Sequence, residues 1–296
     1  QDTVTMIRSA IRGLLRVSAE PLATERRGVL EREDDYASAG KPACDWEDKA
    51  AREALIDALA RDAHAALALL DDRTLGPEVK SAADLLATVV GQDVATHEGG
   101  LFRIARRVAP DRVISTVDPE ARHGHKTEAR GFDGYKGHVA IDPDSEIITA
   151  TDVTPGNVAD GAVAETLIGA ELENAKKAAA NEPVEIYGDA SYGTADVVEK
   201  IEAVGAEANV KVQAASPPRV GLYSQDAFKI DTQTGTACCP AGVLVKLRVL
   251  SDGAASADFS ASCATCSLRP RCTASASGRE LRIHPKHETL ARSRAR

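Results

Sequence analysis

Two aspartates in this sequence directly follow short apolar runs. Asp118 comes after residues 113–117, and Asp189 comes after residues 184–187 and Gly188. In α/β folds, side chains at the carboxyl ends of strands build the ligand sites. Two carboxylates there can share divalent cations, which activate a nucleophile and stabilise the leaving oxygen of a phosphodiester. The alternative is that Asp-Pro and Gly-Asp simply form turns at strand ends.

Four cysteines near the C-terminus have spacings typical of a metal site. Cys239, Cys263, Cys266 and Cys272 include one C-x2-C pair, and four thiolates suit tetrahedral Zn²⁺. Cys238 is an alternative to Cys239, and free or redox-active thiols are the alternative to zinc. Six cysteines in 296 residues are too few for a small disulfide scaffold, so a reducing compartment is favoured.

A basic segment lies close to Asp118 in the sequence. Lys126, Arg130, Lys136 and His138 surround a glycine-rich stretch and could hold a phosphate backbone next to a metal site. A solvated strand face explains the same composition equally well.

Composition excludes several classes of protein. Hydrophobic residues make up 43% and charged residues 27%, which is ordinary globular usage, and the longest apolar stretches, such as residues 65–70, are far too short to span a membrane. The net charge of -9 argues against sequence-independent coating of nucleic acid. Residues 101–139, with eight basic and five acidic side chains, carry +3, and residues 268–296, with eight and two, carry +6. These segments leave room for a local phosphate-contacting face. His123 and His125 are more typical of exposed loop histidines than of metal ligands.

The elements that must position these residues change in type along the chain. Apolar residues at helical spacing predict three helices, over about residues 4–15, 55–70 and 77–94. Short strands are predicted next, with a hairpin whose turn lies at residues 143–145, and then strands alternate with helices. The later elements are expected at these positions: strands at 113–117, 135–141, 146–153, 184–187 and 209–212, helices at 160–177 and 194–204.

This order predicts an α/β protein with a mixed sheet. We expect a helical region at residues 1–107, an α/β core at 108–214, and a Cys-rich segment with short strands and a basic tail at 215–296.

Several stretches together resemble a known family. Residues 112–122, 132–142, 153–160 and 187–193, followed by the Cys-Pro-Ala-Gly and Cys-x2-Cys-x5-Cys tail, are similar in order and spacing to DDE transposases of bacterial insertion sequences. The tail is similar to a subgroup that carries a Cys-rich segment before its last catalytic helix. The resemblance covers nearly the whole chain.

The resemblance implies an RNase H-like core in which two Asp and one Glu bind Mg²⁺ or Mn²⁺. Such an enzyme cuts and rejoins the ends of a transposon in double-stranded DNA. Asp189 matches the second Asp of that motif, whereas Asp118 is the best candidate for the first one inside this chain, the alternative being an Asp before Gln1. Neither Glu280 nor Glu288 matches the motif of the third carboxylate. We therefore expect a chain truncated at both ends and inactive as it stands.

Three functions stay open. A DNA transposase, here as a fragment, is favoured over a non-catalytic nucleic-acid-binding remnant and over a metal-dependent nuclease of the same fold. We expect a cytoplasmic, nucleoid-associated protein, and the sequence leaves the oligomeric state open, with a homodimer as one alternative.

Overall fold

The computed structural model of the chain describes residues 1–20, 22–34, 36–127, 129–177 and 183–296. The chain divides into two compact units. The first unit comprises Gln1–Gly137 and Val153–Val158, and the second comprises His138–Asp152 and Ala159–Arg296.

Ten α-helices lie in the described part of the chain. They are α1 Thr3–Val17, α2 Leu22–Val29, α3 Lys49–Ala68, α4 Pro77–Asp93, α5 Ala164–Leu167, α6 Gly169–Ala175, α7 Ala195–Ala203, α8 Ser260–Cys263, α9 Arg269–Cys272 and α10 His287–Ala295.

Thirteen short strands accompany the helices in the same described ranges. They are β1 Val94–Thr96, β2 Phe102–Ile104, β3 Arg122–Thr127, β4 Arg130–Ile141, β5 Ile148–Pro155, β6 Glu185–Gly188, β7 Glu207–Val210, β8 Lys229–Asp231, β9 Thr236–Cys238, β10 Leu244–Lys246, β11 Arg248–Val249, β12 Ala255–Asp258 and β13 Glu280–Ile283.

The first unit is built on the three helices that periodicity predicts, α1, α3 and α4. The Asp2 carboxylate caps α1 by accepting a hydrogen bond from the Thr5 amide at 2.9 Å, Asp48 caps α3, and Pro77 starts α4. The helices bury one shared apolar core, because each presents a continuous apolar stripe. Its fully buried members include Ile7, Ile11, Leu14, Leu59, Leu86 and Val89. The predicted helices are confirmed, and α2 is an additional short helix.

The strand expected at residues 113–117 is absent, and this prediction is wrong. The Gln92 side chain makes two hydrogen bonds to the backbone of Val113. Its amide nitrogen donates to the Val113 carbonyl, and its oxygen accepts from the Val113 amide. The N-terminal amino group donates to the Ile114 carbonyl, and the Gln1 side chain accepts from the Thr116 amide. These bonds use the backbone groups that a strand ladder would need, so the segment stays irregular despite its β-branched residues.

The predicted hairpin is present as β4 and β5, in a three-stranded sheet of order β3-β4-β5. Its turn covers residues 143–145 as expected. Strand β3 pairs antiparallel with β4, with Gly124 opposite Phe132, and it was not predicted because its residues are mostly polar. A Cβ on Gly124 would lie 2.3 Å from the Gly156 carbonyl oxygen, so this close approach of two backbones requires glycine.

In the second unit, β6 and β7 pair in parallel and α7 connects them. Ile186, Val198 and Ile201 lie in the apolar core between helix and strands. The helix predicted at 160–177 is interrupted: a 3-10 turn at Asp160–Ala162 precedes α5, and Ile168 separates α5 from α6 with a non-helical backbone. The strands of this βαβ element and α7 lie close to their predicted positions.

The C-terminal part of the second unit contains two small antiparallel sheets. Their orders are β10-β9-β8 and β11-β12-β13, and they enclose a core with Phe228, Phe259, Leu281 and Ile283. The fold is thus mixed α/β with several small sheets, instead of the one mixed sheet that was expected. Among the described residues, no helix is both long and apolar enough to cross a membrane.

Candidate functional site

Asp189 lies immediately after β6, as the sequence predicts. It is exposed, and its Oδ1 accepts a hydrogen bond from the Ser191 amide at 2.7 Å. The chain then turns back, with the Tyr192 amide donating to the Asp189 carbonyl at 3.2 Å. This tight turn fixes the carboxylate at the carboxyl end of a parallel strand, where α/β folds build their sites.

The same turn places Tyr192 against His138 of β4, also in the second unit. The Tyr192 hydroxyl and His138 Nδ1 lie 2.7 Å apart, and the two rings meet edge to face. His138 is only 3% exposed and Tyr192 is half-buried, so this hydrogen bond is partly shielded from water. The contact joins the loop after β6 to the hairpin.

A second carboxylate lies near the same hydroxyl. Burial, together with the negative charges of Asp160 and Asp189, raises the pKa of Tyr192 above its ordinary value. Both carboxylates therefore lie close enough to disfavour a tyrosinate, and Tyr192 stays a neutral hydroxyl at physiological pH. In the second unit, the charges of two carboxylates thus act on a phenol that is hydrogen-bonded to an imidazole.

Two glycines allow the loops of this cluster to pack closely. A Cβ on Gly193 would lie 2.2 Å from the Lys211 carbonyl oxygen, just beyond β7, and a Cβ on Gly161 would lie 2.7 Å from the Thr194 side chain. The loops that carry Asp160 and Asp189 are therefore held by contacts that leave no space for a side chain.

Asp118 lies in the first unit, in a turn that follows the irregular segment and not a strand. It is exposed, and its Oδ1 accepts a hydrogen bond from the Tyr135 hydroxyl at 2.6 Å. That bond is the main cause that raises the pKa of Tyr135 to about 12. The Ser115 hydroxyl also caps this turn by accepting from the Asp118 amide. These contacts are those of a turn-forming aspartate whose carboxylate already has a partner.

The four basic residues predicted to contact DNA have different surroundings. Lys126 and Arg130 are exposed on β3 and β4. Lys136 donates to the Val158 carbonyl at 2.8 Å, and His138 is buried against Tyr192. Lys126 and Arg130 thus have the exposure that a phosphate contact needs.

The two other histidines of this region lie on β3. His123 forms a 2.7 Å contact with Asp133 across the β3–β4 pair, and His125 packs edge to face against His123.

The four predicted zinc ligands line one small cavity of about 20 Å³ in the second unit. Cys263 and Cys272 are buried, Cys239 and Cys266 are half-buried, and Cys238 is not part of the lining. Burial raises the pKa of Cys272; the positive charge of Arg279 opposes this effect, and the neighbouring Cys263, Cys239 and Cys266 add to it.

The four thiols share one cavity, but they are not arranged as metal ligands. In the part of the chain that the structure describes, no group of three or more His, Cys, Asp or Glu side chains is arranged to hold a metal ion. Among the residues that the structure describes, the four thiols therefore line one space without forming such a group, and Asp189 is not part of one either.

A protein-family model matches part of this chain. Residues 91–237 match the family model of the transposase DDE domain. The match covers just under half of the chain and supports a DDE transposase, which acts on DNA. It includes Asp118, Asp160 and Asp189 but ends before Cys238 and Cys239, so it does not extend to the Cys-rich segment. No curated protein and no solved structure gave a match.

The sequence predicts that Asp189 follows a strand, but it does not predict which residues surround it. Asp160 and Tyr192 lie in the stretches 153–160 and 187–193, which carry the family resemblance, without a local signal of their own. The charge of His138 suggests a phosphate contact, whereas the structure pairs it with Tyr192, 54 positions away.

Proposed function

We propose that this chain carries part of the active site of a DDE-type DNA transposase, an enzyme that cleaves and joins phosphodiesters at transposon ends. The observation that carries the proposal is the match of residues 91–237, which includes Asp189 at the end of β6. An antiparallel three-stranded sheet followed by a parallel β-α-β element supports an RNase H-like core.

Asp189 is the catalytic carboxylate of this proposal. It is exposed at a strand end, its backbone is fixed by the turn to Tyr192, and Asp160 lies near the same hydroxyl. Oxygen donors of this kind fit Mg²⁺ or Mn²⁺. Such an ion, when bound, activates the attacking oxygen and stabilises the leaving one. The hydrogen bond between buried His138 and half-buried Tyr192 orients the loop that presents Asp189.

Asp118 is a weaker candidate for a metal ligand than Asp189. Its carboxylate accepts the Tyr135 hydroxyl, so binding a metal would require this hydrogen bond to break. We retain Asp118 as the candidate for the first aspartate among the residues of this chain.

The proposed substrate is double-stranded DNA. Lys126 and Arg130 are exposed on neighbouring strands of the hairpin sheet and supply charge for phosphate contacts. Binding through such contacts should weaken steeply with added salt because counterions are released from the DNA.

Strand cleavage and joining test the proposal directly. The protein encoded by the complete gene is incubated with Mn²⁺ and DNA that carries the repeats flanking that gene. We expect Asp189→Asn to reduce cleavage by at least about 100-fold, since even outer partners of metal ligands commonly matter 10- to 100-fold. Salt-dependent DNA binding should be unchanged. The matched control is Asp144→Asn, the same change at an exposed turn of the hairpin, which should leave both activities intact.

The other functions give different results in this assay. Cleavage without joined products would favour the nuclease, and DNA binding without cleavage would favour the non-catalytic remnant. Residues 1–296 alone contain no Glu that matches the family motif, so we expect them to bind DNA and not to cleave it. Equal cleavage by the parent protein and by Asp189→Asn would refute the assignment of the site.

We also propose that Cys239, Cys263, Cys266 and Cys272 bind one structural Zn²⁺. Support comes from their common cavity and from the C-x2-C spacing, and ligation requires the thiols to move inward to about 2.3 Å from the metal. Because zinc must displace the thiol protons, and the pKa of Cys272 is raised, zinc affinity should increase with pH.

Metal analysis of serine variants tests this site. Cys266→Ser should reduce the zinc bound after dialysis, because one of four ligands is lost. Cys44→Ser and Cys238→Ser change thiols outside the cavity and should retain the metal. Absence of zinc from the parent protein after refolding with excess Zn²⁺ would leave free thiols as the correct interpretation.

A further inference from the structure

The first unit contains a large groove that no part of the proposed active site uses. Its volume is about 860 Å³, and its walls come from the start of α1, the segment before α3, α3 itself, and the chain around β2. Its size is typical of ligand-binding clefts, which have volumes of about 300–1,000 Å³.

The lining of this groove is strongly basic, although residues 1–100 carry nineteen acidic and only twelve basic side chains. Among the described residues of the lining, two are carboxylates, Asp2 and Glu53. Its six cations are Lys41, Lys49, Arg52, Arg103, Arg106 and Arg112. A concave wall of one sign focuses the electric field on an anionic ligand.

Acidic side chains neutralise part of this charge. Asp2 pairs with Lys41 at 3.1 Å, and Glu53 is shared between Lys49 at 3.7 Å and Arg103 at 3.4 Å. Arg112 pairs with Asp93, which lies outside the lining, at 2.6 Å. Arg52 donates to a backbone carbonyl, that of Trp46.

Arg106 is the most available cation of the groove. It is exposed, and it has no hydrogen bond or ion pair within the described residues of the chain. The guanidinium donors of Arg106 are therefore available to phosphate oxygens, whose geometry a planar guanidinium matches.

An aromatic side chain lies among these cations. Trp46 is 38% exposed, and the Lys41 ammonium sits 5.3 Å from the centre of its ring. Ile104, also in the lining, is 55% exposed. Sites that combine a basic groove with an exposed aromatic ring bind unpaired nucleic acid, since phosphates meet the cations and bases stack on the ring.

We propose that this groove binds an unpaired nucleic-acid strand, with Arg52 and Arg106 on phosphates and Trp46 against a base. A duplex keeps its bases stacked inside, so only an unpaired strand can place a base on the Trp46 ring. This site goes beyond the proposed phosphodiester chemistry and does not depend on Asp189.

Trp46 is the only tryptophan of the chain, so its fluorescence reports on the groove directly. The full chain is titrated with a short oligothymidylate, and we expect saturable quenching that weakens with salt. Arg106→Ala should weaken binding about tenfold and lower the salt slope by about 0.7, the value for one lost phosphate contact to a single strand. The control is Arg107→Ala, a neighbouring exposed arginine outside the lining, which should bind like the parent protein.

A labelled oligothymidylate, followed by anisotropy, extends the test to the ring itself. Trp46→Ala should weaken binding at least about fivefold, and Trp46→Phe should restore most of it because stacking survives. Asp189→Asn should bind the strand normally, which separates this site from the proposed catalytic one.

Three results would overturn the inference. They are absence of quenching, equal weakening by Arg106→Ala and Arg107→Ala, or quenching by a duplex or by inorganic tripolyphosphate as strong as that by the single strand.

Discussion

The Asp118 carboxylate and the Tyr135 hydroxyl form a pair whose titration can be followed at a single residue. The hydrogen bond to Asp118 raises the pKa of Tyr135 to about 12, with Glu120 adding to this effect and Arg122 opposing it. Because the folded pKa lies above the ordinary value of 10.0, the pair stabilises the fold fully below pH 10. This contribution is lost as the pH rises through 12.

We predict that Asp118→Asn returns the pKa of Tyr135 towards 10, since the amide keeps the shape but removes the charge. The measurement is the 13C chemical shift of the Tyr135 Cζ against pH. Asp133→Asn, on the same strand but paired with His123, is the control and should leave the titration of Tyr135 unchanged. A Tyr135 pKa near 12 in Asp118→Asn would show that the pair does not exist in solution.

Individual residues also show what the sequence could not reveal. The position of Asp189 was predictable because an apolar run, a glycine and an aspartate are local signals. Its relation to Asp160 and His138 was not, since it depends on how two loops and a hairpin meet in three dimensions. Asp118 followed the same local pattern as Asp189, yet no strand precedes it.

At the scale of elements, the β6–α7–β7 segment depends on the close approach of two loops. Gly193 follows the Asp189 turn and packs against the Lys211 carbonyl, so Gly193→Ala forces backbone atoms apart. We predict that the variant loses about 1–3 kcal/mol of unfolding free energy, the usual cost of overpacking. The Mn²⁺ binding that we propose for Asp189 should weaken as well, because the loop that presents Asp189 must shift.

The matched control for this change is Gly169→Ala at the start of α6. A Cβ on Gly169 meets no atom within 4 Å, and the residue is helical. This variant should be as stable as the parent protein or gain about 0.4–1 kcal/mol, since alanine restricts the unfolded chain. Urea denaturation measures both, and a Gly193→Ala protein as stable as Gly169→Ala would contradict the packing argument.

Helices and strands were predictable where the apolar pattern of their own residues determines the structure. Helices α1, α3 and α4 have long apolar stripes and clear start signals in Asp2, Asp48 and Pro77. Strand β3 has no such stripe, because its residues are polar and the partner strand defines it. The segment 113–117 has strong β propensity, but side-chain bonds from Gln92 and Gln1 override it.

The whole molecule contains separate apolar cores in its two units. Leu59 is fully buried in the core of the first unit, and Ile201 is fully buried in the β6–α7–β7 core of the second. The two clusters share no residue, although the chain passes between the units within β4 and β5. Each core is the main source of stability for the elements around it.

We predict that Leu59→Ala and Ile201→Ala each cost about 2–5 kcal/mol, because each leaves a cavity in a packed core. Hydrogen exchange followed by mass spectrometry should show that Leu59→Ala lowers protection mainly in α1, α3 and α4. Ile201→Ala should lower it mainly in β6, α7 and β7. Val220→Ala, at a fully exposed position of the second unit, is the control and should change stability by less than about 0.5 kcal/mol. If either core variant lowered protection equally in both units, the chain would unfold as one cooperative unit. That result would contradict the prediction that each core stabilises mainly its own elements.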